Sequence, residues 1–226
     1  MGNIDRFKDA LWVTDDSVII GGQGGIGSWL SLLLSRIGYS IYIYDDDIFD
    51  QTNMGGQFVT SSKIGVKKVT AVKDLITDFG GNGVIHTYDQ KYTLLSLAHN
   101  YMIAAFDNME ARKDMFNRWF EYNSTNHNSN ALFIDGRLTL EQMQIFCVTP
   151  KNTKHYRENY LFDDSEVDDV ACTLKQTSHS AAMIASFMTG FFTNHITNVV
   201  NSNKARVVPY TFEYFIPLNM FSDGII

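Results

Sequence analysis

The run Val18-Ile19-Ile20-Gly21-Gly22-Gln23-Gly24-Gly25-Ile26-Gly27-Ser28 constrains the fold of this chain more than any other stretch. A β-branched triplet meets a glycine cluster. Leu30, Leu33, Leu34 and Ile37 then recur at i, i+3, i+4 and i+7, the spacing of a buried helix face. The reading is strand, tight turn, helix. Glycines let the backbone turn sharply and approach a ligand without Cβ atoms in the way. The free N–H groups and partial positive charge of the following helix suit phosphate. About twenty residues on, Ile41-Tyr42-Ile43-Tyr44 reads as a second strand ending in Asp45, placed to accept from ribose hydroxyls. These residues predict a nucleotide site but leave NAD, FAD and ATP open, since such glycine motifs serve all three.

Further elements follow the same logic. Val72, Leu75, Ile76 and Phe79 repeat the helical spacing within a helix expected over 65–79, which Gly80-Gly81-Asn82-Gly83 stops. Strands are expected at 84–88 and 101–106, the latter ending at Asp107-Asn108, followed by a helix from about Met109 to Tyr122. Two more strands are expected at 131–135 and 143–148, then a polar, acidic crossover over 149–171. A helix over 180–200 carries Ile184, Phe187, Met188 and Phe191 on one face, and aromatic-rich strands fill 207–218. Strands alternating with helices predict an α/β fold, a Rossmann-like doubly wound, mostly parallel sheet with a C-terminal helix and strand extension. The 226 residues read as one domain: an N-terminal arm (1–15), a nucleotide-binding core (16–148), the crossover (149–171) and the C-terminal helix and strands (172–226).

Composition excludes some classes. With 45% hydrophobic and 19% charged residues the chain can build an ordinary core, and a net charge of −7 argues against nonspecific nucleic-acid binding. The longest apolar stretch, 181–192, is too short to span a bilayer, and no secretory signal opens the chain, which predicts a cytoplasmic protein. The two cysteines, Cys147 and Cys172, form no C-x-x-C pair, so no zinc is expected. The six histidines fall at no metal-ligand spacing.

In combination, several motifs resemble the ThiF/MoeB/ubiquitin-activating adenylyltransferase superfamily. They are Gly22-x-Gly24-Gly25-x-Gly27-Ser28, Asp45-x-Asp47 with Asn53 and Gln57, Gly65-x-Lys67-Lys68, and Asp107-Asn108 with Arg112. The resemblance covers most of residues 17–200. It implies ATP- and magnesium-dependent adenylation of the C-terminal carboxylate of a ubiquitin-like or sulfur-carrier protein, or of a peptide, by a homodimer. On this resemblance Gly22, Gly24, Gly25 and Gly27 cradle phosphate and Asp45 binds ribose. Asp47, Gln57 and Asn108 join the nucleotide site, Asn53 and Lys68 contact phosphate, and Asp107 holds magnesium. The residue types suit the chemistry: a carboxylate is ionised at neutral pH and needs positioning and positive charge, not a general base.

Bland readings stand beside these roles. Asp46, Asp47 and Asp50 also fit a solvated acidic loop, and Lys68 an exposed helix start. Asp107-Asn108 fits a helix cap, and Ser28 is better read as a cap than as a phosphate ligand. Arg112, one turn on, is placed to pair with Asp107. The family usually has arginine directly before the glutamine of its Asn-x-x-Arg-Gln motif, and here that position is Gly56. Losing one charge-assisted hydrogen bond is worth roughly 1.5–3 kcal/mol. That predicts slow turnover, a substitute cation (Arg6, Lys63, Lys67 or Arg137), or a non-catalytic nucleotide-binding scaffold. An NAD(P)-dependent oxidoreductase is the other alternative, but it explains neither Asn53 and Gln57 nor Lys68. Finally, Ala171-Cys172-Thr173 resembles the segment on which some relatives receive the activated carrier, with Lys175 favouring a thiolate and Asp168 and Asp169 opposing it.

Overall fold

The computed structural model describes residues 6–163, 177–201 and 205–224. The glycine-rich opening folds as its spacing predicts: β1 (Ser17–Gly21) runs into α1 (Gly25–Arg36), and β2 (Ser40–Tyr44) pairs parallel to β1. α2 (Lys68–Asp78), β3 (Ile85–Tyr88), β4 (Tyr101–Ala104) and α3 (Met109–Thr125) follow, then β5 (Leu132–Thr139) and β6 (Gln142–Val148). The chain continues through α4 (Thr153–Tyr160), α5 (Ser178–Val200), β7 (Thr211–Phe215) and β8 (Met220–Gly224).

The strands form one 8-stranded sheet in the order β3-β2-β1-β4-β5-β6-β7-β8. β3, β2, β1, β4 and β5 are parallel, while β6, β7 and β8 add antiparallel strands. Alternation along each parallel strand feeds two apolar layers. On one side Val18, Ile20, Ile41, Ile43 and Ile103 pack under Leu30, Leu34, Val72, Ile76, Ile184 and Met188, which places α1, α2 and α5 there. On the other, Ile19, Met102, Phe133 and Phe146 pack against Met115, Phe116 and Trp119 of α3 and Tyr156 of α4. Burial on both faces explains why the parallel strands read as unbroken apolar runs.

Three expectations are corrected. α2 starts at Lys68 and not near Gly65: Gly65 sits at φ +83°, Lys67 keeps a non-helical ψ of 133°, and Phe49 N–H donates to the Val66 carbonyl. The 149–171 crossover is not an irregular loop throughout, because Thr153–Tyr160 coil into α4 and bury Tyr156. The aromatic tail forms its strands at 211–215 and 220–224: Tyr210 and Phe212 are buried, Phe212 against Phe187 and Phe191, whereas Phe215, Leu218, Met220 and Phe221 are exposed. Among the described residues no helix is long and apolar enough to cross a membrane.

Candidate nucleotide site

β1 lies between β2 and β4, so chain connections leave it in opposite directions at its carboxyl end. Such a switch point opens a crevice beyond the strand ends, where ligands of open α/β sheets bind. The glycine turn sits there. Gly22 takes φ +84°, and a Cβ on it would lie 2.7 Å from the Ala105 carbonyl oxygen. A Cβ on Gly27 would collide with the Gly22 carbonyl, so α1 can approach the turn only with glycine at that position. Gly24 is different: its nearest neighbour would be Gln57 Nε2 at 4.0 Å, leaving space in front of the turn. Gly24 is also the residue that precedes α1, and no side chain caps the helix, whose first residue is Gly25.

Ser28 is therefore inside the helix and not its cap. Its hydroxyl donates to the Gly25 carbonyl at 3.2 Å and accepts from the Phe58 N–H at 2.9 Å, fastening the 45–57 loop to α1. That loop contains a short 3-10 turn at Gln51–Gly55 with a reciprocal cap. The Asp50 carboxylate accepts from Thr52 N–H at 2.6 Å, and the Asn53 side-chain oxygen accepts from Asp50 N–H at 3.0 Å. Asn53 thus engages its side-chain acceptor in the turn, and its amide group is a donor only. Gly56 is buried with its carbonyl taking the Trp29 indole N–H at 3.3 Å. Beside it, the side-chain oxygen of Gln57 is buried with no protein partner among the described residues.

Asp45 ends β2 and connects the motifs. One carboxylate oxygen accepts from the Gln23 N–H of the glycine turn at 2.6 Å, the other from Asp47 N–H at 2.9 Å. Lys68, the first residue of α2, is only 8% exposed and donates its backbone N–H to the Asp47 carbonyl. Its ammonium lies 2.8 Å from the Asp47 carboxylate and 4.0 Å from Asp45. Burial raises the Asp45 pKa, with the Lys68 charge and the two backbone donors working against that rise. Asp45, Asp46 and Asp47 lie close enough together to share a cation.

Asp107 and Asn108 divide the roles that the sequence left joined. Asn108 caps α3 by accepting from Ala111 N–H at 2.9 Å, while Asp107 stands exposed just outside the helix, accepting from the Asn108 amide at 3.3 Å. Arg112 turns away from the position predicted for it beside Asp107. It pairs with Asp135 on β5 and donates to the Phe106 and Gly136 carbonyls. The four cations considered as substitutes for the missing arginine also have definite places. Lys63 pairs with Asp74 at 2.7 Å, Lys67 with Asp89 at 3.0 Å and Arg137 with Asp135 at 2.8 Å. Arg6 adjoins Phe7, whose ring packs tilted against Trp12; the Trp12 carbonyl takes the Tyr39 hydroxyl, at the end of the strands away from the glycine turn. Cys172 lies outside the described residues, and Cys147 is fully buried in β6, which raises its pKa.

The sequence reading missed Asp135 and Gln23. Asp135 carried a signal, an acidic residue inside the apolar run Leu132-Phe133-Ile134 with Arg137 two positions on. Gln23 carried none: its side chain donates to the Gly22 carbonyl at 3.0 Å and accepts from Ser31 at 2.8 Å, bracing the turn from within.

The ThiF family model matches residues 9–221. The chain belongs to the ThiF family. Two curated relatives, the ubiquitin-like modifier-activating enzyme 5 proteins of Drosophila mojavensis and Drosophila grimshawi, are each 30% identical over 104 residues. That match spans 46% of this chain and only 23% of theirs. Among solved structures, E. coli MccB with MccA-N7isoASN superposes with a TM-score of 0.72 at 13% identity, covering 94% of this chain and 65% of MccB. PaaA superposes with a TM-score of 0.67 at 16% identity, covering 99% of this chain and 69% of PaaA. At those identities the likeness is one of fold, and this ThiF-family chain shares their mixed, mostly parallel sheet with helices on both sides.

Proposed function

We propose that this ThiF-family chain uses ATP to adenylate the C-terminal carboxylate of a peptide or a ubiquitin-like protein. The observation that carries the reading is the buried Lys68 ammonium, held 2.8 Å from Asp47 and 4.0 Å from Asp45 beside the glycine turn. An NAD site needs the turn and the ribose carboxylate without a buried cation beside them, and an NADP site places its cation where a ribose carboxylate would repel the 2′-phosphate. The family match supports the reading, as do relatives described as a ubiquitin-like modifier-activating enzyme and as MccB with ATP.

In this reading the substrate carboxylate, ionised at neutral pH, attacks the α-phosphorus. A new P–O bond forms, the bond to the bridging oxygen breaks, and pyrophosphate leaves with that electron pair; no proton changes hands. Gly22, Gly24, Gly25 and Gly27 allow the backbone to approach the phosphates, and the open face of Gly24 is where a Cβ would intrude. Asp45 accepts a ribose hydroxyl with its remaining lone pairs, with Asp47 and Asn108 at the margin of the site. Lys68 and the Asn53 amide reach phosphate oxygens, and Gln57 closes the loop side. Asp107, an exposed oxygen donor at a strand end, fits magnesium, which binds through one or two carboxylates together with phosphates. When bound, magnesium offsets the charge of the departing pyrophosphate.

Two finer elements complete the proposal. The acyl group passes to Cys172 in a second step: the thiolate attacks the acyl carbon, the bond to AMP breaks, and a thioester remains. The chain works as a homodimer in which Arg6 of one protomer supplies positive charge at its partner's site, because its own site lies at the other end of the strands. Arg6 would then substitute for the arginine absent at Gly56.

A titration with ATP and magnesium, run beside one with NADH, tests the core reading. ATP binds with magnesium dependence, NADH does not, and Asp107→Ala loses the magnesium-linked part while staying folded. Unchanged ATP–magnesium binding in Asp107→Ala removes that residue from the metal, and NADH binding in place of ATP overturns the assignment. Substrate-dependent exchange of pyrophosphate into ATP separates an enzyme from a nucleotide-binding scaffold. A reductant-sensitive adduct lost in Cys172→Ser but kept in Cys147→Ser supports the second step. Sedimentation of a fully active monomer at micromolar concentration rules out the shared site.

A further inference from the structure

Asp135 is fully buried, and side chains from three elements converge on it. Arg112 of α3 pairs with one carboxylate oxygen. Arg137 of β5 donates through Nε to the other at 2.8 Å, and the Tyr156 hydroxyl of α4 donates to that same oxygen at 2.8 Å. Each arginine then has donors to spare for a backbone carbonyl. Arg112 holds the Phe106 carbonyl, and Arg137 holds the Tyr160 carbonyl at 2.7 Å while lying 4.8 Å over the Phe146 ring. One buried carboxylate therefore ties the turn after β4 to the end of α4.

The tie to Phe106 has a geometric consequence. A peptide unit is planar, so fixing the Phe106 carbonyl also fixes the N–H and Cα of Asp107. Among the described residues the exposed Asp107 side chain makes no comparable contact of its own; it accepts the 3.3 Å bond from Asn108. Buried ion pairs add little net stability relative to apolar packing, but they impose a defined geometry. The planar fork of arginine meets a carboxylate and a carbonyl at once, which a lysine ammonium cannot do in the same arrangement.

We propose that Asp135, acting through Arg112, Arg137 and Tyr156, is a positioning residue that sets Asp107 for the metal–nucleotide complex and locks that setting to the placement of α4. Displacement of α4 then shifts the Asp107 turn. The inference rests on the reading of Asp107 as a magnesium ligand, and its test separates the two.

The experiment uses the full chain and two variants, Arg112→Lys and Tyr156→Phe. A fluorescent ATP analogue is titrated in EDTA and across a magnesium series, and amide hydrogen exchange is followed over residues 105–110. Arg112→Lys is expected to bind the analogue in EDTA within about twofold of the parent but to need about tenfold more magnesium for half-maximal enhancement, since small misplacements of a ligand are costly. Tyr156→Phe, which removes only the hydroxyl that α4 donates to Asp135, is expected to raise the magnesium midpoint roughly threefold, a smaller effect because both arginines still hold the carboxylate. Both speed exchange at 105–110. If Arg112→Lys fails to fold, Tyr156→Phe decides alone. Parental magnesium midpoints and parental exchange in the folded variants reduce Asp135 to a brace of the fold while leaving the ATP reading intact. A parent protein whose ATP binding ignores magnesium overturns the Asp107 assignment and this inference with it.

Discussion

Asp45 and Asp135 are both carboxylates at the carboxyl edge of the parallel strands, and the protein treats them in opposite ways. Asp135 is 0% exposed, and its charge is met by Arg112, Arg137 and the Tyr156 hydroxyl. Asp45 keeps a side chain 9% exposed, takes two backbone N–H groups, and has its nearest ammonium at 4.0 Å. Burial raises its pKa because that compensation is incomplete. A carboxylate answered wholly by the protein holds elements in place. One left with acceptor capacity at a switch point is able to hold a ligand.

The largest test of this contrast is Asp135→Ala. It leaves two guanidinium groups facing a cavity, and breaking a buried pair in this way costs about 3–5 kcal/mol. Denaturant unfolding reads it as a lowered midpoint at an unchanged slope, and a parental midpoint would erase the distinction between the two carboxylates. Asp45→Asn is expected to do the reverse. Stability stays at or above that of the parent, since a charge whose burial is incompletely compensated is removed. ATP affinity falls by about 1.5–3 kcal/mol, the value of a hydrogen bond to a charged group. Calorimetry of binding beside thermal unfolding reads both at once.

Gly27 and Gly24 sharpen the comparison inside the turn itself. Gly27→Ala drives a methyl onto the Gly22 carbonyl and is expected to cost about 1–3 kcal/mol of stability, the range for overpacking. Gly24→Ala faces open space and is expected to change stability by less than about 0.5 kcal/mol while weakening ATP binding. Equal unfolding midpoints for the two would show that the turn yields more readily than its packing implies.

The smallest effect is a pH dependence. With the Asp45 pKa raised in the folded state, the native protein binds more protons than the unfolded chain between the two pKa values. Unfolding free energy therefore falls as pH rises through that window, and the contribution of Asp45 is least favourable above it. The difference between parent and Asp45→Asn, followed by unfolding at a series of pH values, isolates this slope. ATP affinity in the parent falls on acidification at a higher pH than an ordinary carboxylate would give.

Much of the nucleotide side was legible in the sequence, because its determinants are short-range. Gly22 needs a positive φ, α1 needs its apolar face, and the Asn108 cap is set three residues from its partner. Other features were hidden. α4 buries only Tyr156 among its residues, so its spacing carries no apolar stripe and 153–160 reads as polar crossover. Ser28 looked like a cap because its true partner, Phe58, lies 30 residues away.

Local geometry thus determined the strand–turn–helix unit and the strand end at Asp45 before any long-range contact was known, whereas the start of α2 at Lys68 waited on the pairing of Phe49 with Val66. Backbone dihedrals, capping and side-chain periodicity act within a few residues, where chain connectivity already fixes the neighbours. Which group Arg112 would neutralise was decided only by tertiary structure. Asp107 lies nearer in sequence, but parallel pairing sets Ala104 of β4 opposite Asp135 of β5, and alternation turns Asp135 toward α3. A buried carboxylate without a partner is costly, so the arginine that can reach it is drawn inward, and Asp107 is left at the surface.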